Sequence, residues 1–210
     1  MAKMLLAAIV AFAPLLAPAG AAAANVDPDW PCVQRKVPHL SVGQVWNGPE
    51  LPKAAAGWEK DHQISTLVAD ISARRVPLEE AVKRIQDFAA TLPADQATPK
   101  LEMLVQGLFD HMDAERTRVM EGISRYAHRQ VAMADALRKQ SSALDALRAK
   151  PDADPDEVER QTDEFNFATR IYDERRQSLS SVCEVPTIIA QRLYQLAKAT
   201  QEALPAKEKK

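Results

Sequence analysis

From Lys100 to Lys150 the chain runs 51 residues without a proline. At 1.5 Å per residue, one helix over this stretch would be about 75 Å long. A small globule cannot enclose such a helix, so the chain must pair it along its length in an elongated body. From Val119 its inward positions are Val119, Ile123, Tyr126, Gln130, Met133, Leu137, Gln140, Leu144 and Leu147. Their alternating spacing of four and three is a heptad seam. The earlier part reads Leu101, Val105, Leu108, Met112, Glu115, Val119. An extra step of four therefore falls at Val119, an offset resembling a stutter, where a coiled coil unwinds or joins a wider bundle.

The partner for this helix comes next. Pro151 to Asp156 form a turn whose aspartates can cap a following helix. After it a seven-residue rhythm runs through Val158, Phe165, Tyr172 and Leu179. The same count continues through Pro186 to Leu193 and Thr200, with Pro186 as a kink or short break. Beyond it, Ile188, Ile189, Leu193, Leu196 and Leu204 mark a final amphipathic helix. Two long halves joined by a tight turn run antiparallel, pairing residues whose numbers sum to about 305. Cys183 then falls opposite Gly122 and Pro186 opposite Val119, so the offset, the glycine, the cysteine and the proline share one level. That level divides a four-helix bundle (residues 58–122 and 183–204) from an antiparallel coiled-coil arm (residues 123–182) about 40 Å long. Gly122 would leave room there for a docked segment.

Two shorter helices complete the bundle. The first runs from about Trp58 to Arg74, with Ile64, Leu67, Val68 and Ile71 on one face. The second starts near Pro77, a favoured first-turn residue, with Leu78, Val82, Ile85, Ala89 and Leu92 as its stripe. A loop carrying Pro93 and Pro99 follows. Glycine is scarce after Gly57, and Ala, Leu, Arg, Glu, Gln and Lys dominate, all good helix formers. The expectation is an all-α protein: an elongated helical bundle with a long antiparallel coiled-coil hairpin. Residues 205–210 form a charged tail.

The N-terminal 24 residues have the layout of a secretory signal peptide. Lys3 precedes the apolar run Met4 to Leu16, and Ala21 to Ala24 supply small residues for cleavage. Pro14, Pro18 and the alanine-rich end are poor material for an uncleaved membrane anchor, and no cysteine stands at the cleavage point for lipid attachment. No other apolar run reaches the ~20 residues a bilayer span takes. The reading is export to a periplasm, with no membrane span after cleavage. Cys32 and Cys183, 151 positions apart, are then read as one disulfide rather than free thiols or a zinc pair. In the chain-entropy account closing so long a loop contributes roughly 5 kcal/mol at most.

Residues 25–57 hold five prolines and three glycines, too many breakers for a long helix. They also carry Trp30 and Trp46, with Trp58 just beyond, which are all the tryptophans of the chain. This reads as an extended strap lying on the helices, pinned by tryptophan and by Cys32.

Charge and motifs narrow the function. The leader holds one lysine and no acid, so the rest carries 26 Lys/Arg against 29 Asp/Glu, interleaved, which argues against nucleic-acid binding. Glu59 and His62 have the i, i+3 spacing of carboxylate-bridged dimetal bundles, but the second such pair is missing: Leu108 stands three residues before His111, and Arg125 three before His128. His111 with Glu115 is a second weak metal-ligand candidate. Gly122-Ile123-Ser124 stops short of a nucleophile elbow because Tyr126 stands where the second glycine belongs. No phosphate loop or haem-attachment motif occurs. No catalytic residue, metal or other cofactor is therefore assigned.

What remains is contact surface. Trp30, Arg35, Lys36 and Trp46 on the strap, and Phe167 and Tyr172 on the arm, are the partner-binding candidates, since Trp, Tyr and Arg dominate binding hot spots. Gln130 and Gln140, opposite Thr162, Thr169 and Arg176, weaken the arm as an autonomous core. The expected function is a periplasmic, non-enzymatic adaptor, chaperone-like factor or accessory subunit that binds an unidentified periplasmic protein, with a homodimer through the arm as one form. The alternative is a bundle that senses or buffers a small ligand or metal.

Overall fold

The computed structural model describes residues 29–205, so the expected signal peptide (residues 1–24), the first four residues of the expected strap (25–28) and residues 206–210 lie outside the described residues. In chain order the elements are α1 (Val42–Val45), a 3₁₀ helix (Lys53–Lys60), α2 (His62–Ser72), α3 (Leu78–Thr91), α4 (Ala94–Arg148) and α5 (Pro155–Glu202). Among the described residues there are helices and no strands. The protein is all-α.

The first bundle helix begins later than its sequence pattern suggests. Trp58 belongs to the 3₁₀ helix, and α2 starts at His62. The boundary is set by Asp61, whose carboxylate accepts the N–H groups of Gln63 and Ile64 and also meets Lys100. An N-cap residue takes extended backbone angles, so the chain cannot pass through it as one helix. Asp61 does so, with φ −89° and ψ 105°.

Both long helices absorb a proline. α4 begins at Ala94 and carries Pro99 inside it instead of leaving it in a loop. Pro99 is the sixth helical residue and is exposed, as is Asp95, whose carbonyl would have accepted its N–H; water can take that place. Of the kink or short break expected at Pro186, the break does not occur: α5 continues through it. Pro186 is buried, and its neighbours hold the helix on course: Cys183 is tied to Cys32, while Val185 and Ile189 pack against the core.

α4, 55 residues long, packs on α5, 48 residues long, as a helical hairpin closed by residues 149–154. The core sits at the base of this hairpin. Ile64, Val68 and Ile71 of α2, Ala81 and Ile85 of α3, Leu101, Leu104, Leu108 and Met112 of α4, and Ile189, Leu193 and Leu196 of α5 are all fully buried in one cluster. Burying each such Ile or Leu contributes roughly 1.5–3 kcal/mol. Two nitrogens of the Arg192 guanidinium donate to the carbonyl of Ile71, satisfying an orphan acceptor at the end of α2. A smaller cluster joins Trp46 to Val105 and Ala197.

Gly122 does not serve the role proposed from its position. A side chain there would meet nothing nearer than the Arg125 guanidinium at 3.9 Å. The glycine that permits close approach is Gly107, where a Cβ would lie 2.8 Å from both the Trp58 indole and Val68. In the hairpin, Gln140 is exposed and Ser141 takes the inward place after Leu137. At 3.6 residues per turn both positions flank the seam, and Gln140 turns outward to a shallow groove with Arg160, Gln161 and Glu164.

Candidate interaction site

The strap lies along α4, which holds it with one row of side chains at helical spacing: Asp113, Arg116 and Thr117. Asp113 accepts the Leu40 N–H at 2.9 Å through one oxygen and meets His39 Nδ1 at 3.0 Å through the other. Arg116 donates to the carbonyls of Val37 at 2.6 Å and Pro38 at 3.4 Å, and Thr117 donates to Pro38 at 2.9 Å. These contacts answer a local need. A proline-containing segment has few N–H groups and no ladder, so its carbonyls need donors from elsewhere. Arg116 is only 7 % exposed; burial pushes its guanidinium below its ordinary value, and the Asp113 charge opposes that.

Further along, Cys32 is bonded to Cys183 with Cα atoms 5.5 Å apart, and Asp29 pairs with His128 at 3.0 Å. The strap thus has an α4 contact at each end and a covalent link to α5 between them. Between strap and helix lies a cleft of about 340 Å³ lined by Lys36, Pro38, His39, Thr117, Met120 and Ser124. The Ser124 hydroxyl is shielded from solvent and has no hydrogen-bond partner among the described residues.

The strap candidates separate into different environments. Trp30 is half-buried, donates its indole N–H to the Gln34 carbonyl, and has the Lys36 ammonium 5.8 Å from its ring centroid. Arg35 is exposed. Trp46 is 6 % exposed and its indole N–H donates to Pro49 at 2.7 Å, so it serves the second core cluster and offers little ring to a partner. Trp58 likewise turns inward and donates to Asp110 at 3.0 Å.

On the arm, Phe167 is 57 % exposed with the Arg170 guanidinium 5.3 Å from its ring centroid. Tyr172 is half-buried on the seam side, and five residues of helix turn it away from Phe167, so the two do not form one patch. Val131, 56 % exposed, is a second open apolar residue that the heptad reading passed over. Between residues 128 and 182 Leu144 is the only buried residue. Gln130 is shielded within the seam, and neither its amide nitrogen nor its oxygen has a partner among the described residues. Thr162 and Thr169 turn their hydroxyls back to the carbonyls of Val158 and Phe165, and Arg176 pairs with Asp173 in its own helix.

The metal candidates do not converge. Glu59 is on the 3₁₀ helix and His62 on α2, with the Asp61 cap between them, so the i, i+3 geometry of one helix face is absent. Glu115 pairs with Arg74 at 3.4 Å, one helical turn from His111. No group of three His, Cys, Asp or Glu side chains that could hold a metal is gathered among the described residues.

The Asp113, Arg116 and Thr117 row escaped the sequence reading, which followed the apolar stripe through Met112, Glu115 and Val119. At this level α4 is contacted from two sides, so its buried surface widens to take in Asp113, Arg116 and Met120. A signal was present: an acid, an arginine and a threonine at i, i+3 and i+4 can face one extended segment. Comparisons with protein-family models, with curated proteins and with solved structures find no match to this chain.

Proposed function

We propose that this chain is an exported, periplasmic, non-enzymatic helical protein that binds another protein through its arm, with the strap as a second contact. The observation that carries this reading is the contrast in burial along one hairpin. Its base encloses a full core, whereas from 128 to 182 only Leu144 is buried and Val131 and Phe167 stand open. So thin a seam adds little to the stability of the base; what its length supplies is reach. The arm is read as an antiparallel coiled coil, supported by the hydrogen bonds from Tyr126 to Arg175 and from Arg148 to Thr162. Export rests on the layout of the leader and agrees with the Cys32–Cys183 pair.

Site-specific photo-crosslinking in cells tests the reading. A crosslinker placed at Val131 or Phe167 should give one adduct of defined mass, and the same probe at Asp87 on α3 should give none. Equal labelling at all three sites, or none at the arm, would remove the arm from the account. The second reading, a small-ligand bundle, has one observation in its favour, the strap cleft with the unpartnered Ser124 hydroxyl. Native mass spectrometry of protein purified from cells would show a retained small molecule if that reading holds.

A further inference from the structure

The two helices of the arm carry opposite charge. Residues 123–148 of α4 hold five Lys/Arg against two Asp, a net +3, and residues 155–182 of α5 hold four Arg against seven Asp/Glu, a net −3. Opposite helices in a hairpin would be expected to spend this difference on each other, yet they do not. The ion pairs of the arm, Arg125–Glu121, Arg138–Asp135, Arg160–Glu157, Arg160–Glu164 and Arg176–Asp173, each lie within one helix, and His128 pairs with Asp29 of the strap. Among the described residues no ion pair crosses from α4 to α5 within the arm. The contacts that do cross it are the tyrosine and threonine hydrogen bonds and an approach of Arg175 to the Met133 sulfur.

We infer that the partner the arm takes is the arm of a second copy of this chain, α4 of each lying against α5 of the other. The inference rests on the reading of the arm as an interaction surface and names its occupant. A two-fold contact requires a surface that complements itself, and two helices of opposite net charge meet that requirement. A two-fold axis along the arm sets the basic helix of one copy behind the acidic helix of the other, at both places at once. A heterologous partner would place no such demand on the chain. The area also suffices. Twenty residues of two paired helices make a face about 30 Å by 20 Å, so a dimer buries roughly 1,200 Å² in total, the lower end of stable protein–protein interfaces. Val131 and Phe167 add exposed apolar contact on the arm.

Sedimentation velocity on the intact disulfide-bonded protein tests this directly. One variant reverses α4 (Arg129→Glu, Arg138→Glu, Lys139→Glu); the other reverses α5 (Glu159→Lys, Asp163→Lys, Glu174→Lys). All six side chains are exposed. The wild type should be a dimer that dissociates as salt is raised. Each variant alone places like charges together and should associate roughly tenfold or more weakly, with circular dichroism reporting unchanged helicity. Mixed in equal amounts, the two should form a heterodimer, since every α4–α5 contact is again between opposite charges. A wild type that stays monomeric into the hundred-micromolar range, a dimer indifferent to salt, or a mixture that fails to associate would each overturn the inference. If the wild type is monomeric while the probes at Val131 and Phe167 capture a different protein, the arm remains an interaction surface and only its self-pairing is lost.

Discussion

Gly107 yields the space of its absent side chain to Trp58: a Cβ on α4 at this point would lie 2.8 Å from the indole, and the same distance from Val68. The contact joins the 3₁₀ helix, α2 and α4. Gly107→Ala must push backbone or ring apart, and overpacking of this kind costs about 1–3 kcal/mol. Gly122→Ala, in open space on the same helix, should instead gain about 0.5–1 kcal/mol from helix propensity. Urea unfolding of the two variants reads both signs; equal effects would show that Gly107 is not tightly packed.

Asp113 is the second fastening of the strap. Asp113→Ala removes the acceptor for Leu40 and the partner of His39, and takes away the charge that opposes the burial of Arg116. The expected loss is about 2–3 kcal/mol. Hydrogen exchange at the Leu40 amide should accelerate well before exchange in the base helices. Reduction of the disulfide should free residues 29–36 while the Leu40 amide remains protected in the wild type, because Asp113 and Arg116 hold that part without help from sulfur.

Asp61 sets an acid limb. Its hydrogen bond from Lys100 is the main cause holding its carboxyl below the usual range; burial opposes this, and the N–H groups of Ile64 and Gln63 add to it. A carboxylate whose folded value is depressed stabilises the fold above the unfolded value, about 3.9, and loses that contribution as pH falls through the folded value. Asp61→Ala should therefore cost about 1–2 kcal/mol at pH 7. The gap between the melting temperatures of variant and wild type should narrow below about pH 4. A gap that stays constant down to pH 2 would show that the ionised form has no special role.

Gln130 occupies the arm seam with both amide atoms shielded and without partners. Gln130→Leu should raise the stability of the arm by roughly 1–2 kcal/mol, since it removes an unmet polar demand and adds apolar contact. Exchange protection of amides 126–140 measures this locally. A destabilised arm would mean that the amide is satisfied in solution.

Pattern alone was enough to specify an all-helical chain, one helix running unbroken from residue 100 to the turn near 150, and the pairing of Cys32 with Cys183. Each follows from local chemistry or simple arithmetic: helix-forming composition, an absence of breakers, and a single even pair of thiols. Tertiary contact decided the rest. Pro186 stays inside α5 because a disulfide and a packed core flank it, and Pro99 stays inside α4 because it falls in the exposed second turn. Asp61 separates Glu59 from His62, so a spacing that suggests one helical face gives none. The Asp113, Arg116 and Thr117 row became a site only when the strap was laid across it, and Gly107, not Gly122, became the glycine that matters. Hydrophobic period reports which face a helix buries, but not how many neighbours share it, and a polar row at helical spacing does not say which segment more than 70 residues away it will grip.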